Sequence, residues 1–204
     1  MNTPLRLVLI RHSITAGNLA GQYIGSIDQP LCQEGIELAQ AAAQLMPPVN
    51  RVYRSPMLRC RQTAEILYPD HLSHAVADLR ETDFGIFEGK TYAELAPDPD
   101  YQAWIASAGT LPPPCGEATA HFTKRCVAAF YGILQELARD HIACAACVMH
   151  GGSIMAIMAA LTDPQRPFYN WQAENCGGFI VKADPQSGRL ALLETLRVKC
   201  ETYG

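Results

Sequence analysis

Apolar residues in this chain fall into short continuous runs that alternate with longer stripes of helical spacing. Leu5 to Ile10 is a short, mostly apolar run, as expected of a central parallel strand covered on both faces. From Gln33 to Met46 the residues Leu38, Ala42 and Leu45 recur at i, i+4 and i+7, which predicts a helix stopped by Pro47-Pro48. Val49 to Tyr53 reads as a second strand. Ser55-Pro56 reads as a helix start, with Ser as N-cap and Pro as first helical residue, and the helix runs to about Tyr68. Ala75 to Leu79 reads as a third strand. A long amphipathic helix spans about Glu117 to Arg139, with Phe122, Cys126, Phe130, Ile133 and Leu137 spaced 4, 4, 3 and 4 apart. A strand then ends at Met149, and Gly151-Gly152 opens a helix from Ser153 to Leu161. The C-terminal part reads as a hairpin, Gly178 to Ala183 and Arg189 to Leu196, turning at Asp184-Pro185-Gln186-Ser187-Gly188.

Strands alternating with helices imply an α/β fold, a three-layer α/β/α sandwich. Its central sheet is mostly parallel, and the hairpin makes it mixed. One domain over residues 1–204 is expected. The stretch from about 91 to 116 departs from the pattern: it holds two short helices, near Tyr92–Leu95 and Tyr101–Ser107, and ends in Pro112-Pro113-Pro114. It reads as an insertion lying over one end of the sheet.

Composition narrows the function. A net charge of −4 without runs of like charge argues against nucleic acid or an anionic membrane as partner. Any charge that binds an anionic substrate must therefore be local to one pocket. The apolar run near the N-terminus is too short for a signal core and no stretch reaches membrane-span length, so a cytoplasmic location is expected. Of eight cysteines, only Cys144 and Cys147 have Cys-x-x-Cys spacing, and they lie in a strand, where residues three apart face opposite sides. Buried structural thiols are expected rather than a redox or metal pair. Cys200 is the last of the eight. No signal of oligomeric state is present.

In open α/β sheets ligands bind beyond the carboxyl ends of the strands. Two histidines stand there, His12 after the first strand and His150 after Met149. Arg11 adjoins the first. Arg59 lies in the first turn of its expected helix, where free amides and the helix dipole also favour an anion. Two arginines suit a phosphate monoester, because planar guanidinium forks match its oxygens. Gly151-Gly152, after His150, lets backbone approach a phosphate closely.

Four blocks in order resemble the histidine phosphatase superfamily, the phosphoglycerate-mutase-like fold, over nearly the whole chain. They are Leu9-Ile10-Arg11-His12-Ser13-Ile14-Thr15-Ala16-Gly17-Asn18, Ser55 to Ala64, Leu79-Arg80-Glu81-Thr82-Asp83-Phe84-Gly85-Ile86-Phe87-Glu88-Gly89, and Val148-Met149-His150-Gly151-Gly152. The resemblance implies that His12 is a nucleophile forming a phosphohistidine. It implies that Arg11, Arg59 and His150 hold the transferring phosphoryl group with Gly151, and that Glu81 is the proton donor, Asp83 being second. Thr15 and Asn18 are expected to add neutral hydrogen bonds to the phosphate or its loop. No metal and no cofactor are expected, since the cationic side chains stabilise the charge. Arg61 reads as a solvated or salt-bridged helix residue, Glu88 as a support of the Gly85 to Gly89 turn, and Glu117 as a first-turn carboxylate. His71, His74, His121 and His141 read as surface or helix-end residues.

Three departures guide the choice of branch. Ser13 stands where the family usually has Gly, so it is expected either to donate to phosphate or to narrow the site. Cys32 stands where relatives often have Thr or Ser, which weakens an N-cap. Ile14 stands where the mutase branch typically carries Glu, and Tyr92 to Pro114 contains no Lys or Arg to hold a second phosphate. The expected activity is therefore hydrolysis of a small phosphorylated metabolite, in the α-ribazole-phosphatase-like and broad-specificity branch. The alternatives are a cofactor-dependent phosphoglycerate mutase and a catalytically weak member that binds a phosphorylated ligand or protein. Tyr101 and Trp104 either meet an apolar part of the substrate or pack the insertion down.

Overall fold

A computed structural model describes residues 4–198. A six-stranded sheet has the order β3-β2-β4-β1-β5-β6. Its strands are β1 (Leu5–Arg11), β2 (Arg51–Arg54), β3 (Ser73–Ala75), β4 (Cys144–Met149), β5 (Gly178–Ala183) and β6 (Leu190–Leu196). Strands β3, β2, β4 and β1 are parallel, while β5 runs antiparallel to β1 and β6 antiparallel to β5. The sheet is thus mixed and mostly parallel, as the terminal hairpin implied.

Strand alternation divides the core between the two faces. On one side Leu5, Leu7 and Leu9 of β1 join Ala145, Cys147 and Met149 of β4 under α6 (Thr119–Arg139) and α7 (Gly151–Leu161). On the other, Val8, Ile10, Ala146 and Val148 pack under α2 (Gln33–Ala43) and α3 (Leu58–Leu67). The stripe Phe122, Cys126, Phe130, Ile133 and Leu137 of α6 is buried as its spacing required. Among the described residues no helix is long and apolar enough to cross a membrane.

Several boundaries moved for local reasons. The helix expected from Ser55-Pro56 begins at Leu58, with Met57 in the cap position and no side-chain cap there; the Ser55 hydroxyl accepts from the Met57 N–H at 3.4 Å and from the ring of His150 at 2.7 Å. The strand expected over Ala75 to Leu79 is β3, two residues earlier, followed by a 3₁₀ turn at Ala77–Leu79. The helix expected to reach Met46 ends at Ala43. The insertion carries α4 (Tyr92–Leu95) and α5 (Pro99–Ala106), and Asp98 caps α5 by accepting from the backbone of Asp100 and Tyr101. Tyr101 is fully buried with Phe87 and Leu95, so it packs the insertion down rather than meeting a ligand.

Cys144 and Cys147 belong to opposite faces of the sheet, and both are free thiols. Cys147 is wholly enclosed, while Cys144 is half-buried with its thiol 3.6 Å from the Pro48 carbonyl. Cys200 lies outside the described residues. Cys147→Ser should cost about 1–3 kcal/mol by burying an unpaired hydroxyl, and Cys144→Ser under about 1 kcal/mol. Urea denaturation of both variants checks this. A melting temperature that depends on dithiothreitol would contradict the assignment of free structural thiols.

Candidate active site

Neighbouring parallel strands β1 and β4 end together, with Arg11 opposite Met149. Beyond these ends a cavity of about 1150 Å³ opens, with Arg11, His12, Asn18, Glu81, Gly151 and Gly152 among its walls. The insertion forms another wall through Trp104, Ile105, Ala108, Gly109, Thr110 and Pro113, which places it over that end of the sheet.

His12 is almost entirely buried, and three bonds fix it. Its N–H donates to the Met149 carbonyl at 2.8 Å, continuing the β1–β4 ladder by one residue. Its own carbonyl accepts from Asn175 Nδ2 at 2.9 Å. Its ring Nδ1 lies 2.6 Å from the Ser13 carbonyl oxygen. A carbonyl cannot donate, so Nδ1 carries the proton and Nε2 holds the free electron pair. Burial, then the charges of Arg59 and Arg11, push the imidazole well below its ordinary pKa of 6.5. The ring is therefore neutral at pH 7, as a nucleophile requires.

The two arginines are arranged differently. Arg11 faces the cavity, donating from Nη1 to the Ala173 carbonyl at 2.9 Å, and its buried Nε has no protein partner. Arg59 is completely enclosed. It donates to the carbonyls of Ile27 and Gly25 at 2.9 Å each, and from Nε to His150 Nδ1 at 3.3 Å. Those bonds engage three of the five N–H groups of a guanidinium; Nη1 also lies 4.0 Å from the Asp28 carboxylate, and Arg59 is not among the residues that line the cavity. Arg59 thus ties the Gly25–Ile27 loop to His150.

His150 is fully buried, its ring centroid 5.2 Å from that of His12. Its Nδ1 accepts from Arg59, so Nε2 bears the proton and donates to Ser55 Oγ at 2.7 Å. Both ring nitrogens are engaged within the fold. A direct bond from His150 to a phosphoryl oxygen would require one of these bonds to be exchanged. The Cys60 thiol packs against the same ring, 3.5 Å from Nε2, and burial raises its pKa to about 12.

Glu81 shares the cavity wall with Arg11. One carboxylate oxygen accepts from the Thr82 N–H and the other from the Gly152 N–H, each at 3.0 Å. Burial favours the protonated acid, whereas the two amides and the charges of Arg59 and Arg11 favour the carboxylate. Burial wins, and the pKa stands above the ordinary 4.5. A β-carbon at Gly152 would lie 2.3 Å from Glu81 Oε1, so glycine is required there for the carboxyl to reach the helix start. Asp83 is directed elsewhere, accepting from the Gly85 N–H at 2.8 Å.

Other expected residues divide in the same way. Ser13 does not reach the cavity: it is fully buried, its hydroxyl donates to the Gly35 carbonyl at 2.6 Å, and its N–H donates to Thr63 Oγ1 at 2.9 Å. Neither a phosphate bond from Ser13 nor a narrowing of the site follows, because the hydroxyl points into the start of α2. Thr15 is likewise enclosed and caps the short helix α1 (Ala16–Leu19) in a reciprocal box with Asn18, and Asn18 alone of the pair lines the cavity. Cys32 gives α2 no side-chain cap. Arg61 pairs with Glu65 at 3.8 Å on the surface. Glu88 accepts from the backbone of Gly25, Ser26 and Phe84, tying the Gly85 to Gly89 turn to the loop held by Arg59. Glu117 is not the first-turn carboxylate expected, because α6 begins at Thr119 with Ala118 in the cap position; it is paired instead with buried Arg125 at 2.6 Å. Asn175, which orients His12, lies in a loop with no motif and was legible only once β1 and β5 were paired.

A family model for the histidine phosphatase superfamily (branch 1) matches residues 7–195. The chain belongs to that superfamily. It is similar to the adenosylcobalamin/alpha-ribazole phosphatase of Salmonella typhimurium, 33% identical over 59% of this chain and 63% of that protein. It is also similar to a metal-independent phosphoserine phosphatase of Arabidopsis thaliana, 31% identical over 77% of this chain and 68% of that one. Among solved structures, an alpha-ribazole phosphatase from Shigella flexneri superposes with a TM-score of 0.80 at 27% identity, covering 95% of both chains. The phosphoglycerate-mutase-like α/β fold expected from the motifs is the fold found.

The buried histidines couple this phosphatase's stability to pH. His12 and His150 both titrate well below 6.5, so under mildly acidic conditions the unfolded chain binds protons that the native chain refuses. Stability is therefore lost as pH falls below 6.5, by up to about 1.4 kcal/mol per pH unit for each histidine. Glu81 has the opposite sign: its raised pKa contributes stability that is lost as pH rises through its folded value. The Glu81 contribution acts only between 4.5 and its folded value and comes from one group against two histidines, so a net loss on acidification is expected. Urea midpoints from pH 7.5 to 5 should fall, and His12→Gln should flatten the slope. A stability independent of pH over that range would contradict the neutral assignment.

Proposed function

We propose that this histidine phosphatase hydrolyses a small phosphomonoester without a metal, through a phosphohistidine on Nε2 of His12. The observation that carries the reading is the 2.6 Å bond from His12 Nδ1 to the Ser13 carbonyl, which leaves Nε2 as a neutral electron pair at the cavity. In the first step Nε2 attacks phosphorus, the bond from phosphorus to the ester oxygen breaks, and that oxygen takes the proton of Glu81. The ring becomes cationic, and its bond to the Ser13 carbonyl strengthens. In the second step Glu81, now ionised, takes a proton from water as the water oxygen attacks phosphorus. The P–N bond breaks, and phosphate and neutral His12 are restored. Arg11, on the cavity wall, holds the charged oxygens, and the enclosed charge of Arg59 adds to the positive field at the site, which is where most of the rate enhancement arises.

The cavity walls support a bulky, uncharged alcohol as leaving group. Away from Arg11 the lining includes Tyr23, Phe84, Trp104, Phe122, Met155, Phe168 and Tyr169. Arg11 is the one Lys or Arg among the lining residues, Glu174 adds negative charge, and the charge of Glu117 is balanced by Arg125. A carboxylate such as that of phosphoserine or 3-phosphoglycerate has no second cation to meet. The same lack counts against a mutase, which must hold two phosphates. A weak binder is disfavoured because the Ser13 side chain is turned away from the site.

Turnover of p-nitrophenyl phosphate in EDTA should be readily measured, and His12→Ala should lower it by at least about 10³-fold. In a panel of esters, aromatic alkyl phosphates should exceed phosphoserine in kcat/KM. Undetectable turnover, or turnover unchanged by His12→Ala, would refute phosphatase chemistry at this site. Robust interconversion of 2- and 3-phosphoglycerate would refute the choice of hydrolysis over transfer.

A further inference from the structure

Arg125 lies on α6, outside every sequence block that marked the site. It is almost wholly buried, and all five of its guanidinium N–H groups have oxygen acceptors. Nε and Nη2 donate to the two carboxylate oxygens of Glu117 at 2.7 and 2.6 Å. Nη1 donates to the carbonyls of Asp78 and Arg80 at 2.8 Å each, and Nη2 donates to the carbonyl of Glu81 at 2.9 Å. One side chain thus grips three backbone carbonyls within the four-residue segment that delivers the Glu81 carboxyl. That segment is otherwise irregular, a 3₁₀ turn at Ala77–Leu79 followed by a bend at Arg80 with no sheet ladder.

We infer that Arg125, held by Glu117, is a positioning residue that sets the Glu81 carboxyl within reach of the leaving oxygen. The inference rests on the proposed role of Glu81 as proton donor. Arg125 itself does not line the cavity, so it acts through the backbone it holds. A carboxyl fixed at both oxygens by Thr82 and Gly152 is correctly placed only if its own backbone is fixed, and the three carbonyl bonds do that. Lysine offers one ammonium with three donors and no planar fork, so it keeps the charge opposite Glu117 but cannot hold Glu117 and three carbonyls together.

The leaving group provides the test. When the P–O bond breaks, p-nitrophenolate departs without needing a proton, whereas the alkoxide of benzyl phosphate must take one from Glu81. The ratio of the two kcat/KM values stops at loss of the alcohol, so it excludes the later water attack that also uses Glu81, and on one sample it is independent of the fraction of protein correctly folded. Glu81→Gln, the reference, should lower kcat/KM for benzyl phosphate by about 10²-fold or more, with only a small change for p-nitrophenyl phosphate. Arg125→Lys should lower kcat/KM for benzyl phosphate by at least about tenfold and for p-nitrophenyl phosphate by less than about threefold. Glu117→Gln should shift the ratio in the same direction by less, and supplies the reading if the arginine variant yields no folded protein. If Glu81→Gln shifts the ratio but neither Arg125→Lys nor Glu117→Gln does, the positioning role is overturned and the proton donor stands. If Glu81→Gln leaves the ratio unchanged, the proton-donor reading falls and the inference falls with it.

Discussion

The short bond between His12 Nδ1 and the carbonyl of Ser13 governs the chemistry of this site. An imidazole has two nitrogens and, when neutral, one proton. Whichever nitrogen meets a fixed acceptor keeps that proton, and the other becomes the nucleophile. The acceptor here is backbone, so no side-chain rotation can release it. The fold secures the same peptide on every side: the His12 N–H is tied to Met149, the His12 carbonyl to Asn175, the Ser13 N–H to Thr63 and the Ser13 hydroxyl to Gly35. Ser13 replaces the usual glycine without reaching the cavity because its hydroxyl completes this support.

Charge near His12 has a second consequence. Two buried cations beside an imidazole oppose its protonation, and the same cations attract a phosphate dianion. Arg59 and Arg11 therefore lower the pKa of His12, and in the proposed reaction the same charges favour an anionic substrate. Burial acts on Glu81 in the opposite direction, raising its pKa above the ordinary 4.5. One enclosed site thus disfavours the proton on its histidine and favours it on its carboxyl, as groups of opposite role require.

Much of this was legible in the sequence, and the parts that were not share a cause. The strands β1 and β4, the stripe of α6 and the glycines opening α7 follow from local periodicity. His12, Arg11, Glu81 and Gly151 were named from short blocks and share the walls of one cavity. What failed was the assignment of polar atoms to long-range partners. Ser55 looked like an N-cap, but its hydroxyl serves a histidine 95 residues away. Ser13 looked like a phosphate donor, but its partner is 22 residues on. Arg125 carried no motif, and its acceptors lie 44 to 47 residues earlier in the chain. A hydrogen-bonding group chooses among all acceptors the fold brings near, and spacing along the chain does not report that choice.

Direct detection of the covalent intermediate tests the central claim. The enzyme should be mixed with a ³²P-labelled phosphomonoester, quenched in alkali within milliseconds, digested and analysed by mass spectrometry and phosphoamino-acid separation. A phosphoramidate stable to alkali, labile to acid and mapping to His12 with phosphorus on Nε2 is the predicted result. Label on Nδ1 of His12, on His150, or as an alkali-labile acyl phosphate on Glu81 would contradict the account.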